Sequence, residues 1–288
     1  MTSGSLPTGL RIKRELIYDS GRAEPVLVTQ LRNFWRYRRL IGLLVRRNVV
    51  ARYKRSLLGV WWTLLNPLLT MIVMWLVFAH VFRLRAGVAG IPYVIYVLTG
   101  VIFLIFLQQG VDSVGSSVVL NAEILKKVYV PPEIFPLAAG IGIAINAFLS
   151  VLPLLVLQLA LGVGVPWTLI LVPIPLVAML CFAVGYGMVI ASVAIRFHDA
   201  LDFNRVLVML LGYLTPIFYP IAIVPGAVHQ LIELNPVYYD LILFRNLVYG
   251  GSLSTWQPWV AAVGTGVIAL TLGTAIFARS WRAAVARL

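Results

Sequence analysis

From Ile134 to Ile195 the chain runs for 62 residues without an Asp, Glu, Lys or Arg. A water-solvated fold does not accommodate such a run, because soluble domains carry about 25% charged residues on their surfaces. The whole chain is in keeping with it: of 288 residues, 61% are apolar and 11% charged. One helix through the entire run would be about 93 Å long, roughly three times the ~30 Å hydrocarbon core of a bilayer. The run must therefore fold back on itself, and Gly162-Val163-Gly164-Val165-Pro166 is the place. These features exclude a disordered chain, a secreted disulfide scaffold and an ordinary water-soluble enzyme. Cys181 is the only cysteine, so no internal bridge can form.

Windows free of charge predict an all-α integral membrane protein with six transmembrane helices, at about 61–82, 90–111, 134–160, 168–195, 206–223 and 259–278. The net charge of +13 is unevenly spread. Residues 1–60 hold 13 Lys and Arg against 3 Asp and Glu, while the other 228 residues hold 10 against 7. Counted by loop, 20 basic residues fall on one side and 3 (Arg83, Arg85, Arg245) on the other. That asymmetry places both termini in the cytoplasm and makes the basic character a membrane-side effect facing anionic lipid, not a nucleic-acid footprint. No cleavable signal peptide is expected, since the first 60 residues lack an apolar core of the required length. No internal repeat is visible, which argues against an inverted-repeat secondary transporter.

The approach to the first span has its own pattern. Leu31, Phe34, Trp35, Ile41, Val45 and Val49 fall on one helical face, and Arg32, Arg36, Arg39, Arg46 and Arg47 cluster opposite, with Arg38 the exception. This predicts an amphipathic interface helix over 31–55, following a flexible cytoplasmic tail over 1–30. Residues 52–67 then read RYKRSLLGVWWTLLNP. This stretch resembles the signature of type-2 ABC export permeases, in the branch that exports polysaccharides and teichoic acids. The resemblance extends over about residues 30–288, making 31–288 one transmembrane permease domain. Arg52, Tyr53, Lys54 and Arg55 bring cations to the cytoplasmic surface, and Leu58-Gly59 permits a tight turn. The resemblance implies that this loop, with Arg46 and Arg47 on the helix before it, meets the lipid-diphosphate end of a substrate. The plainer reading is a set of positive-inside anchors with Trp61 and Trp62 at the interface.

Between the second and third spans, Asn121 can cap a short helix with Glu123 in its first turn and Lys126 and Lys127 in its last. Ile124, Leu125 and Val128 would lack an evident partner in an isolated loop. In the family this is the coupling helix, which docks into the ATPase subunit. In the next inner loop Arg196/Asp199 and Asp202/Arg205 have i,i+3 spacing and can pair on a helix. Outside the fifth span, 227–234 and 237–249 predict two short helices, with Asn235-Pro236 capping the second. They suggest a re-entrant outer helical hairpin, and the family places its outer gate there, at Asn235, Pro236, Tyr238 and Tyr239. Tyr96, Phe103, Phe106, Tyr186 and Phe218 are candidate channel aromatics for stacking on sugars.

What the sequence lacks also constrains mechanism. All ten carboxylates fall outside the charge-free spans, which argues against ion-coupled transport and an embedded hydrolase. No G-x-x-x-x-G-K-[ST] phosphate loop is present, so uphill transport needs energy from a partner. The reading is a channel-forming subunit, with no catalytic site, metal or cofactor of its own, of an ATP-driven exporter in a bacterial plasma membrane. Two copies would line one channel, and two ABC ATPase subunits would bind ATP and Mg beneath it. The resemblance implies a polyprenyl-diphosphate-linked polysaccharide cargo, of O-antigen type or a cell-wall galactan. Arginine outnumbers lysine 19 to 4, which suits a GC-rich source such as an actinobacterium, where galactan is a natural cargo. Teichoic-acid, lipid or drug export on the same fold is the alternative; a polytopic glycan-processing enzyme or scaffold is the alternative of another class.

Overall fold

The computed structural model describes residues 32–54, 56–81, 91–128, 130–250, 253 and 255–285. The expected tail over 1–30, Leu31, Arg55 and the loop carrying Arg83 and Arg85 lie outside the described residues. A helical turn at 32–36 leads through Tyr37 into α1 (Arg38–Tyr53). There follow α2 (Trp61–Leu76, prolonged by a π turn at Val77–Val81), α3 (Tyr93–Leu120), α4 (Ala122–Lys127) and α5 (Ile134–Ala160). After a 3-10 turn at Trp167–Leu171 come α6 (Pro173–Ala194), α7 (Asp199–Leu214), α8 (Gly226–Glu233) and α9 (Pro236–Arg245). A π turn at Asn246–Gly250 precedes α10 (Trp256–Val285). Five helical stretches are long and apolar enough to cross a membrane: Trp61–His80, Tyr93–Lys127, Ile134–Ala160, Trp167–Ala194 and Trp256–Trp281.

The long charge-free run breaks where its glycines and proline suggest, with Gly162 at φ +68° closing the turn. Three boundaries differ from expectation. Asp112 does not end the second span, because its carboxylate accepts a hydrogen bond from Arg205 Nε at 3.0 Å and the helix runs on to Leu120. Arg279 likewise does not end α10, which continues to Val285. The expected fifth span at 206–223 is helical only to Leu214. It starts at Asp199, with Asp199 and Asp202 in the first turn favoured by the helix dipole. It stops because Pro216 forces Thr215 into extended backbone (φ −81°, ψ 134°). At 16 residues, α7 is about 24 Å long, short of a full crossing.

The centre of the molecule is α3, apolar on every side and buried along most of its length. It packs on α2, α5, α6 and α7. Its 28 residues extend about 42 Å, longer than a 30 Å hydrocarbon layer, and α4 follows directly from its Leu120 end. Behind it, α6 and α10 form the tightest helix pair. A Cβ on Gly185 would lie 2.2 Å from the Ala269 carbonyl group, and one on Gly273 would lie 2.0 Å from the Gly185 oxygen. Apolar surface gains nothing by leaving lipid, so such close backbone approach and its dispersion contacts hold two membrane helices together.

α7 and the extended residues after it lie along α3. Arg205 reaches Asp112 at one end, and the Tyr93 hydroxyl donates to the Phe218 carbonyl at the other. Along α3 those contacts are roughly 28 Å apart. Residues 215–219 form no regular helix, so their backbone oxygens need other donors. Arg245, from the end of α9, supplies two of them and reaches α3 as well: Nη1 donates to the Pro216 oxygen at 2.7 Å, and Nη2 to the Ile217 oxygen at 2.8 Å and the Tyr96 oxygen at 3.2 Å. The guanidinium also lies 3.7 Å from the Tyr96 ring centre. The Tyr96 hydroxyl adds donation to the Tyr219 oxygen at 2.8 Å.

Two outcomes are expected. Arg245→Met leaves the buried Ile217 carbonyl without a donor, at about 1–3 kcal/mol, while the Pro216 and Tyr96 carbonyls keep the Tyr96 and Thr99 hydroxyls. The purified protein should melt several degrees lower in detergent, and Arg245→Lys should recover only part of the loss because an ammonium lacks the flat fork. An unchanged melting temperature for Arg245→Met would contradict the clamp. Gly185→Val should drive α6 and α10 apart and abolish a monodisperse peak in size-exclusion chromatography.

Candidate functional site

The α1 helix is amphipathic much as expected. Ile41 and Leu44 are buried against Ile134, Phe135 and Ala138 of α5, with Phe34, Leu40 and Val45 packed around them. Arg36, Arg38, Arg39, Arg46 and Arg47 are exposed. Trp35 departs from the expected stripe: it is 64% exposed, with Arg38 lying 6.0 Å from its ring centre. The break at Tyr37 rotates the 32–36 turn relative to α1, which accounts for the departure.

At the end of α1 the chain turns sharply into α2. Gly59 adopts φ +50°, the left-handed backbone that a side chain disfavours, and its N–H donates to Ser56 Oγ at 3.2 Å. The turn leaves Leu57, Leu58, Trp61 and Trp62 exposed beside Lys54. Arg52 Nη1 donates to Gln109 Oε1 of α3 at 2.9 Å. The Tyr53 hydroxyl shares a hydrogen bond with the Thr63 hydroxyl and donates to Asn146 Oδ1 of α5 at 3.2 Å. Arg52, Tyr53, Thr63, Asn66, Gln109 and Asn146 thus share one cavity of about 300 Å³ between α1, α2, α3 and α5. Phe106 borders it as well, so two predicted sets meet there.

Arg46 and Arg47 part company. Arg46 makes no side-chain hydrogen bond among the described residues. Arg47 Nη2 donates to Asn121 Oδ1 at 2.6 Å, joining α1 to the root of α4. That bond also corrects the expected role of Asn121. It stands at the capping position of α4 with no side-chain cap; its own amide donates back to the Ser117 oxygen at 2.7 Å. Its φ of −113° and ψ of 15° lie outside the extended region from which a side chain reaches the first-turn N–H groups. Glu123, Lys126 and Lys127 lie exposed on α4. Ile124 and Leu125 face inward, packed with the α1–α5 cluster, and so have a partner within this chain. Val128 is exposed.

In the first turns of α7, Asp202 and Arg205 pair at 2.8 Å, and the pair extends to Asp112. Arg196 and Asp199 do not pair among the described residues, because Arg196 precedes the helix that begins at Asp199. The exposed network holds α7 to α3 with modest energy.

On the opposite end, the two expected short helices are α8 and α9. Asn235 Oδ1 accepts from the Val237 N–H at 3.0 Å, Pro236 opens α9, and Asn235 Nδ2 donates to Thr215 Oγ1 at 2.8 Å. Tyr238 is buried and meets Tyr239 edge-on at 5.1 Å between ring centres. Gln158 and Thr168 donate to the Val248 and Leu247 oxygens, tying down the exit of the hairpin. Tyr96 and Phe103 are buried between helices, whereas Tyr186 and Phe218 are partly exposed, stacked on Phe182 and Phe78.

Sequence reasoning passed over the amides of Asn66, Gln109 and Asn146 and the Ser150 hydroxyl, which sit on three apolar helices and meet only in the fold. Their signal was available: uncharged polar groups inside otherwise apolar spans are costly unless they face one another or a cavity. Of the carboxylates, one departs from its expected place and another, outside the spans as expected, is buried. Asp112 lies within α3, and Asp240 is 3% exposed with its Oδ1 unpartnered among the described residues.

Comparison with known proteins converges on one group. The chain is 28% identical over 253 residues to the O-antigen export system permease protein RfbA of Myxococcus xanthus, covering 87% of this chain and 96% of that protein. A Klebsiella pneumoniae O-antigen export system permease protein RfbA is 27% identical over 241 residues, covering 83% and 90%. The capsule polysaccharide export inner-membrane protein CtrC of Neisseria meningitidis serogroup A is 26% identical over 245 residues, covering 84% and 91%. Residues 39–249 match the family model for the ABC-2 type transporter membrane domain, from the start of α1 to the π turn after α9, and the chain belongs to that family.

Proposed function

We propose that this chain is the channel-forming permease subunit of an ATP-driven exporter that moves a polyprenyl-diphosphate-linked polysaccharide out of the cytoplasm of a bacterial cell. The relatives named above act in O-antigen and capsule polysaccharide export, which supports a glycan cargo. A cell-wall galactan is the narrower form of the proposal, resting on the arginine-rich composition. The observation that carries the reading is the link from entrance to energy input. The basic loop after α1 opens on a polar cavity, and the same helix is bonded through Arg47 to Asn121, where α4 departs.

Each part then has a physical task. The exposed arginines of α1, with Arg52 and Lys54, attract a diphosphate head group over the ~10 Å that salt screening allows. Guanidinium forks favour bidentate phosphate contacts. α4, held beyond the hydrocarbon layer by the length of α3, presents Glu123, Lys126 and Lys127 to a separate ATPase subunit that binds ATP and Mg. Movement of α4 is transmitted to α1 through Asn121–Arg47 and through Ile124 and Leu125. Both termini lie in the cytoplasm, α1 lies in the inner interface, and α7 with residues 215–219 makes the sixth crossing. α8 and α9 then form a re-entrant outer gate. Two copies of the chain line the conduit, with Tyr186 and Phe218 available to slide along sugar faces.

Depletion of the protein should cause a polyprenyl-diphosphate-linked glycan to accumulate inside the cell, and wild type should reverse it. Arg52→Ala and Lys54→Ala should restore export poorly although the protein inserts normally. Full complementation by both would reduce the basic loop to an anchor. Separately, Glu123→Lys or Lys126→Glu should lower the amount of co-purifying ATPase and its ATP turnover several-fold. Unchanged turnover in both variants would remove α4 as the main contact.

A further inference from the structure

The cavity beside Arg52 has a composition that neither head-group attraction nor helix packing explains. Asn66 of α2, Gln109 of α3 and Asn146 of α5 all line it, and each brings a primary amide into a span. The Asn66 side chain makes no hydrogen bond among the described residues. The amide nitrogens of Gln109 and Asn146 donate to no described group, although their oxygens accept from Arg52 and Tyr53. Three NH₂ groups on three helices therefore open onto one space. An unpartnered amide facing hydrocarbon is costly, so a lipid chain is a poor occupant.

The volume narrows the choice. About 300 Å³ sits at the lower end of the range for small-ligand sites. That is room for a sugar or two, and too little for a polymer to pass through. The charge narrows it further. Among the described lining residues Arg52 is the only ionic group, and it stands at the α1 end of the cavity already sharing its guanidinium with Gln109. A diphosphate fits at that rim, beside Lys54, but not among the neutral amides. Sugar hydroxyls, which both donate and accept, match amides that do the same.

We infer that this cavity is a docking site within a single protomer for the sugar nearest the diphosphate. Arg52 holds the phosphate at the rim, and Asn66, Gln109 and Asn146 read the hydroxyls of the ring. The site is separate from the conduit and selects the lipid-linked end before threading begins. The inference rests on the proposed lipid-diphosphate cargo.

The test uses the full-length chain in lipid nanodiscs and three probes: a polyprenyl diphosphate, the same lipid carrying one hexose, and the same lipid carrying one N-acetylhexosamine. Wild type should bind at least one sugar-bearing lipid about tenfold more tightly than the bare diphosphate, as one or two neutral hydrogen bonds provide. Asn66→Leu should erase that preference and leave affinity for the bare lipid unchanged; because Asn66 is exposed and unbonded, the variant folds. Asn146→Leu should weaken the preference too, and its loss of the Tyr53 bond would show separately as a lower melting temperature. Equal wild-type affinity for all three lipids would mean the cavity holds only water, overturning the docking site while the diphosphate reading stands. A sugar preference surviving in both variants would also overturn it. Binding of none of the three would overturn the site and the cargo together.

Discussion

The fold depends on one constraint: α7 stops at Leu214, and the extended backbone after it, buried at 215–217, must still be satisfied. Thr215-Pro216 ends the helix by local sterics, leaving carbonyls at 216–219 without partners of their own. Arg245, Tyr93 and Tyr96 supply the missing donors from two other elements. Because Arg245 sits at the end of α9, satisfying this stretch fixes α9 against α3. The same contact thus joins α9, the extended residues after α7 and α3 at one end of the bundle.

The inner end follows a matching logic with weaker forces. There α3 ends at Asn121, which accepts from Arg47 of α1 while its amide returns to the helix end. Exposed pairs such as Arg205–Asp112 contribute little on their own. The stiff member is α3, packed by four helices along its length, so displacement at α4 and displacement at α1 are referred to the same rod. A transporter needs that division: one end held by buried hydrogen bonds, the other by contacts that rearrange at small cost.

Much of this was legible before the fold was known, because hydrocarbon imposes simple rules on composition. The break at 162–166, the turn at Gly59, the start of α5 and the pair α8–α9 follow from glycine, proline and charge placement alone. Charge misled where a partner lay far away in sequence. Asp112 reads as the end of a span until Arg205, 93 residues later, neutralises it. Arg245 reads as a loop residue on the outer side, whereas it is buried among carbonyls that no local pattern announces. Asn121 fits a capping pattern, yet the long-range donor Arg47 takes its side chain. The cavity amides escaped notice for the same reason: each is an isolated polar residue on its own helix.

The central claim is that α7 and residues 215–219 together cross the membrane although α7 alone is too short. Cysteine accessibility in intact cells measures this directly, in a Cys181→Ala background with a membrane-impermeant maleimide. Single cysteines replacing Asp199 and Ala227 bracket the crossing. The account expects labelling at position 227 from outside and none at position 199 until the cells are permeabilised. Equal labelling of both positions from the same side would mean that α7 does not cross, and the clamp at Arg245 would then hold a surface loop, not a span.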